Sequence, residues 1–349
     1  MANKNSRRVA MMGWVTALGM SAVEPVSAGP TSVTVGSPDQ TAVVMGNGFS
    51  QKMLLGEVVE HPALSGFGHH ILPRPGLAFD RDIPLRRIGD LLPYHSNVHP
   101  EEMVQALDRL AHDVGAGQQV FFPIYDDAEI AADPAKADTG IFYLRGRPQA
   151  RFAIIAPGGG FSYVGTVHEG LPYAMSVSAL GLNAFVVRYR VGLGQQAAAE
   201  DMARAISFIF ENAEDLDVSV SDYSVWGGSA GARMAALIGT HGVGAFGGDN
   251  LPGPSTVVMA YTSHTDIGQS EPPTYVIVGE NDGIAPPSSM QRRVDRLNQL
   301  GTPVAFRIVP GIGHGFGTGL GTLAEGWIGD AVEFWQAHAA EPASKGNTQ

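Results

Sequence analysis

The chain has 349 residues, 44% of them hydrophobic and 16% charged, which suits one large domain with an extension and a sizeable core. A formal net charge of -12 argues against nucleic acid or an anionic membrane surface as the main partner, because both would repel it. The absence of cysteine removes disulfides, thiolate catalysis, thiolate metal sites and a lipid-modified N-terminal cysteine.

Residues 1–28 read as a signal peptide. Lys4, Arg7 and Arg8 form a basic start, Val9 to Val23 is uncharged and mostly apolar, and Val26-Ser27-Ala28 offers the small residues a signal peptidase needs. Ser6-Arg7-Arg8 resembles the twin-arginine export signal, although Ala10 and Met11 depart from its usual continuation. The apolar run is too short for a comfortable membrane span, so the expectation is export to the periplasm or medium after cleavage at Ala28, with no stable membrane anchor. The alternative is a cytoplasmic protein with an Ala- and Met-rich start.

Residues 29–118 are expected to form a linker and an irregular N-terminal extension with a covering helix. The stretch to about residue 50 is rich in Gly, Ser, Thr and Pro, and Gly56 to His99 carries many Pro and Gly residues without sustained periodicity. Asn97 to Gly115 is more regular. Pro100, Glu101 and Glu102 suit a helix start, Met103, Leu107, Leu110 and Val114 share one face, and Gly115 suits the stop. This helix should cover the fold or rim a site.

Residues 119–340 alternate strand and helix, and 341–349 read as a disordered tail. Strands are predicted at Gln119-Phe122, Ile141-Leu144, Phe152-Ala156, Ala184-Arg188, Tyr223-Trp226, Thr256-Ala260, Thr274-Val278 and Val304-Val309. Helices are predicted at Leu171-Leu180, Ala197-Leu216, Ala230-Thr240, Pro287-Leu300 and Leu323-Ala339. Near-continuous apolar strands between amphipathic helices indicate an α/β fold, with a mostly parallel sheet of about eight strands covered on both faces. Ligands on such sheets bind beyond the carboxyl ends of the strands.

Three candidate catalytic residues fall at such ends. Gly227-Gly228-Ser229-Ala230-Gly231 lies between an apolar strand and a helix-like run, the setting of a nucleophile elbow. Its sharp turn strains the serine backbone and wants small residues on either side. Asp282 follows the strand ending at Val278, and His314 follows the strand ending at Val309. The Gly-x-Ser-x-Gly pattern alone is weak evidence in a chain with 45 Gly; the order Ser229, Asp282, His314 gives it specificity, for it is the triad order of α/β hydrolases and differs from that of chymotrypsin-like and subtilisin-like proteases. Ser229 needs a base, an imidazole titrates near neutrality, and a carboxylate orients the imidazole.

Oxyanion donors are expected from Pro157-Gly158-Gly159-Gly160-Phe161, just after the predicted strand Phe152-Ala156. Glycines there let backbone N–H groups approach a ligand, so the N–H of Gly159 or Gly160 is paired with that of Ala230. The loop lacks the spacing of a dinucleotide or phosphate loop. His168 and Glu169 either line the site or sit in a solvated loop. His69-His70 and Gly247-Gly248-Asp249-Asn250 have no matching ligand set, so turn and surface roles are preferred to a metal.

These motifs, together with Arg188-Tyr189-Arg190, Val278-Gly279-Glu280-Asn281-Asp282-Gly283 and Gly313-His314-Gly315-Phe316-Gly317, resemble those of bacterial α/β hydrolases that include acetyl-xylan-esterase-like and feruloyl-esterase-like enzymes. The resemblance covers roughly Gln119 to Ala339. It implies the α/β-hydrolase fold and a serine carboxylesterase, with Ser229, Asp282 and His314 at the triad positions and Gly159, Gly160 and Ala230 at the oxyanion positions. Pro157 stands where many lipases and esterases of this fold carry His. The resulting expectation is hydrolysis of a short-chain or carbohydrate-linked ester through an acyl-serine, with no metal and no organic cofactor. The alternatives are an amidase or peptidase using the same triad, and a non-catalytic binding protein of the same fold.

Overall fold

The computed structural model describes residues 48–74 and 79–339, nearly all of them in the unit that begins at Phe49. The segments read as signal peptide and C-terminal tail, and most of the linker, lie outside the described residues. Eight strands form one sheet: β1 Phe121–Phe122, β2 Gly140–Leu144, β3 Arg151–Ala156, β4 Asn183–Arg188, β5 Ser219–Gly228, β6 Thr256–Ala260, β7 Thr274–Gly279 and β8 Val304–Val309. They lie in the order β1-β2-β4-β3-β5-β6-β7-β8. The β1-β2 and β2-β4 pairs are antiparallel and the rest are parallel. Strands buried on both faces favour apolar residues at successive positions, which is why β2 and the middles of β4 and β6 read as near-continuous apolar runs.

The helices are α1 Leu55–Val59, α2 Pro100–Gly115, α3 Asp127–Ala132, α4 Leu171–Ala179, α5 Gly194–Glu211, α6 Ala230–His241, α7 Pro287–Gln299 and α8 Trp327–His338. Successive strand residues point to opposite faces, so the sheet sorts its side chains into two cores. Ala153 and Ile155 join α1, α2, α4 and α8 on one face, while Phe152 and Ile154 join α5, α6 and α7 on the other. The segment before α2 contributes Leu64, Ile71, Leu85, Ile88 and Leu92 to the first core, all buried.

The structure differs from the sequence reading at several edges. The first strand shrinks to Phe121–Phe122, and β5 begins earlier, at Ser219. The helix expected over 197–216 runs over Gly194–Glu211, where the Asn212 side-chain amide donates to the Phe208 carbonyl at 2.8 Å and closes the last turn. The last helix begins at Trp327 rather than Leu323, because Gly319, Gly321 and Gly326 take positive φ and the chain runs as turns until then. Helix α3 was not foreseen. Its Asp126 and Glu129 form a capping box, a signature present in the sequence.

The strand order reverses between β3 and β5, since the chain leaves β3 toward β4 on one side and returns to β5 on the other. Such a switch point opens a crevice beyond the carboxyl ends of the two strands. The loop after β3 and the turn after β5 meet there.

Candidate active site

The turn at the end of β5 is the tightest backbone in the site. Ser229 has φ 49° and ψ -111°, a conformation that L side chains rarely adopt. Its N–H donates to the Ala260 carbonyl at 2.9 Å, and its carbonyl accepts from Arg233 at 3.2 Å, so β6 and α6 hold the strained residue from both sides. The flanking glycines are required by space. A Cβ on Gly227 would lie 2.2 Å from the Gly231 carbonyl carbon, and one on Gly231 would lie 1.8 Å from the Ala156 oxygen. The elbow is therefore pressed against the end of β3, where the glycine loop begins.

Ser229, half-buried at the turn, faces His314: Oγ and Nε2 are 2.9 Å apart. Nδ1 of His314 lies 2.8 Å from Oδ2 of Asp282. A carboxylate only accepts, so Nδ1 carries the proton and Nε2 is left to accept from the serine hydroxyl. The other oxygen of Asp282 accepts the N–H groups of Ile284 at 2.9 Å and Ala285 at 2.6 Å. Asp282 and His314 are both buried. The structure thus brings together three residues that the sequence separates by 53 and 32 positions, each just beyond the carboxyl end of its own strand.

The glycine loop follows β3 with Gly159 at φ +134° and Gly160 at φ +61°. Gly158 lies against the elbow, since a Cβ there would sit 3.1 Å from Cβ of Ser229. The N–H groups of Gly159, Gly160 and Ala230 make no hydrogen bond with any described residue, which leaves them as donors for a ligand in the crevice.

Behind this loop lies a polar cluster that sequence reasoning did not assemble. His168 and Glu169 are not in a solvated loop; both are buried, on a single π turn spanning Thr166–Gly170. Glu169 accepts hydrogen bonds from His95 Nε2 at 2.7 Å, from the Tyr261 hydroxyl at 2.9 Å and from the Gly158 N–H. Burial pushes its carboxyl up, but the charge and hydrogen bond of His95 and the Gly158 N–H outweigh that and hold it at about 2. His168 donates from Nε2 to the Gly315 carbonyl at 2.9 Å, and burial lowers its pKa to about 4. A signal for Glu169 existed, in a lone carboxylate within the run Val164 to Met175. Tyr261 directly follows β6, where the strand-end rule points. Nothing in the spacing around His95 marks it.

The rings of His69 and His70 lie 3.9 Å apart and tilted, and His70 stacks on Phe121 at 4.3 Å; His70 is buried rather than on the surface. Gly247 takes a left-handed conformation as the C-cap of the 3-10 helix Val243–Phe246. No group of three or more His, Cys, Asp or Glu residues that could hold a metal occurs among the described residues. No helix among them is long and apolar enough to cross a membrane.

Residues 150–252, from β3 to beyond α6, match the family model BD-FAE. An acetyl ester-xyloside bifunctional hydrolase from Caldicellulosiruptor lactoaceticus superimposes with a TM-score of 0.55 over 62% of this chain and 95% of that one, at 22% identity. A thermophilic esterase from the Planctomycetes species Thermogutta terrifontis does so with a TM-score of 0.52 over 60% and 90%, at 17% identity. The chain has the α/β-hydrolase fold. Among curated proteins, an acetylxylan esterase of Xylanibacter ruminicola is 27% identical over 110 residues, 31% of this chain. The chain spans between about a quarter and about a third of the curated relatives it matches, 23% of that esterase and 36% of a Butyrivibrio fibrisolvens endo-1,4-beta-xylanase B.

Proposed function

We propose that this α/β hydrolase is a serine carboxylic-ester hydrolase, working through an acyl-serine on a short-chain or carbohydrate-linked ester. The observation that carries the reading is the chain of contacts from Ser229 Oγ to His314 Nε2 at 2.9 Å and from His314 Nδ1 to Asp282 at 2.8 Å, with the serine held at φ 49°. Ser229 Oγ attacks the ester carbonyl carbon as its proton passes to Nε2 of His314. The carbonyl oxygen becomes an oxyanion and accepts the N–H groups of Ala230 and of Gly159 or Gly160. The carbon–oxygen bond to the alcohol then breaks, and His314 returns the proton to the leaving alkoxide. Water, giving a proton to His314, attacks the acyl carbon; the bond to Ser229 Oγ then breaks, His314 returns the proton to Oγ, and the acid leaves. Asp282 stabilises the imidazolium in both halves. No residue in this sequence of steps calls for a metal or organic cofactor.

The carbohydrate side of the proposal draws on the acetylxylan esterase and the acetyl ester-xyloside hydrolase that the chain resembles. Export by residues 1–28 belongs to the same reading, resting on the basic start, the apolar run and Val26-Ser27-Ala28. The test is a panel of p-nitrophenyl acyl esters, matched anilides, and acetylated and feruloylated xylo-oligosaccharides, with Ser229→Ala as control. Ester turnover that is lost in Ser229→Ala supports the proposal. Anilide turnover above ester turnover, or Ser229→Ala as active as the parent, overturns it.

A further inference from the structure

We propose that the buried pair His95 and Glu169 positions the oxyanion loop, so that a short segment of the N-terminal extension, Tyr94 to Ser96, is part of the catalytic machinery. This rests on the hydrolase reading above and extends it to residues outside the triad. Side chains of His95 and Glu169 are 1% and 0% exposed. Taking such a pair out of water is costly, and apolar residues of similar shape commonly serve stability as well or better. A role in stability alone therefore does not account for it.

What the carboxylate holds is the start of the glycine loop. One oxygen of Glu169 accepts the Gly158 N–H while the Gly158 carbonyl accepts the Gly165 N–H at 2.8 Å. The residue before the oxyanion donors is thus pinned at both ends. The carboxylate lies directly beneath the nucleophile: a Cβ on Gly158 would be 3.1 Å from both Glu169 Oε2 and Ser229 Cβ, and one on Gly228 would be 2.5 Å from Oε2. The other oxygen takes His95 Nε2 and the Tyr261 hydroxyl. With three donors fixed on it, the carboxylate has little freedom to swing. Single π turns occur often at functional sites, and here one delivers Glu169.

His95 in turn is held by Tyr163, whose hydroxyl is 2.8 Å from Nδ1 and accepts the Tyr94 N–H at 3.1 Å. Its neighbour Ser96 reaches the loop of the catalytic histidine, donating from Oγ to the His314 carbonyl at 2.6 Å and from its N–H to Gly315 at 2.9 Å. Three consecutive residues of the extension therefore tie the oxyanion loop to the His314 loop. Misplacing reacting groups by about 1 Å can cost on the order of a hundredfold in rate, so a tie at this place acts on turnover.

The experiment compares Glu169→Leu with Glu169→Gln and His95→Phe with His95→Gln, with rates normalised to active sites titrated by a fluorophosphonate. Leu and Phe remove the acceptor or the donor; Gln restores an acceptor for Gly158 in the first pair and an Nε2 donor in the second. The expected result is a fall in kcat of about ten- to a hundredfold for Glu169→Leu and His95→Phe. KM should stay within about threefold, and the Gln variants should regain part of the loss. Binding of a boronic acid analogue of the tetrahedral species should weaken in step with kcat/KM. Unchanged kcat per titrated site in Glu169→Leu or His95→Phe overturns the proposal, as does an equal loss in the Gln partners. Failure of all four to fold also counts against it, because the pair would then be a core support. Absence of ester hydrolysis and of labelling in the parent protein would instead sink the hydrolase reading.

Discussion

Lowering the pH from about 7 to about 4.5 should destabilise the fold, and His168 is the residue where one contribution can be isolated. The side chain is fully enclosed, its Nε2–H is used by the Gly315 carbonyl, and its ring stands edge-on to His95 at 5.1 Å. Burial, reinforced by the His95 charge, lowers its pKa to about 4, against the opposing pull of Glu169 and the Gly315 bond. Above the unfolded value of about 6.5 the group is neutral in both states and contributes its full share. Between about 6.5 and 4 the unfolded chain takes up a proton that the folded protein refuses, so stability drains away as pH falls. The difference corresponds to about 3 kcal/mol at pH 4 and most of that at pH 4.5. Urea unfolding at pH 7 and pH 4.5, on the parent protein and on His168→Gln, reads it out. Gln keeps a donor for Gly315 but does not titrate. His70 and His264, whose burial lowers their values to about 3 and about 4, contribute equally in both proteins and cancel. The parent should lose about 2 to 3 kcal/mol more than the variant across that interval. Equal losses in the two proteins would refute the reasoning.

Gly231→Ala tests the packing of the elbow. The new Cβ would lie 1.8 Å from the Ala156 oxygen and 2.5 Å from its carbon, both main-chain atoms that cannot turn away, so a loss of about 3 kcal/mol or more is expected. Thermal unfolding with a midpoint unchanged would contradict the geometry. Asp282→Asn tests the orientation of the imidazole. Because Ile284 and Ala285 donate to one carboxylate oxygen, an amide there must turn its NH2 toward His314 Nδ1, leaving the proton on Nε2 and no acceptor for Ser229. Turnover should fall by about 10⁴ with the fold intact, measured as ester hydrolysis beside circular dichroism. A loss below tenfold would mean that Asp282 does not set the tautomer.

The parts of the site that a sequence exposes are those whose chemistry imposes a local pattern. Ser229 announces itself because a strained turn between strand and helix demands glycines at fixed offsets, and Asp282 and His314 because they follow apolar strands at the depth where ligands bind. The sheet was legible for the same reason, since β6 and β8 coincide with their apolar runs. Helix ends were less legible, as at Trp327, because the turns set by Gly319, Gly321 and Gly326 are decided by backbone conformation rather than hydrophobic period. The support of the glycine loop was legible only in fragments, Glu169 as a lone carboxylate in an uncharged run and Tyr261 at a strand end, and the partnership between them was not. His95 meets Glu169 across 74 positions through loops with no repeat, and a buried carboxylate looks in sequence like any exposed one.

The central claim is that the hydroxyl of Ser229 becomes a covalent ester during turnover. Intact mass spectrometry after reaction with a fluorophosphonate, followed by peptide mapping, tests it most directly. The account predicts one adduct per chain, located on Ser229 and abolished by Ser229→Ala. An unmodified chain, or an adduct on any other residue, would contradict it.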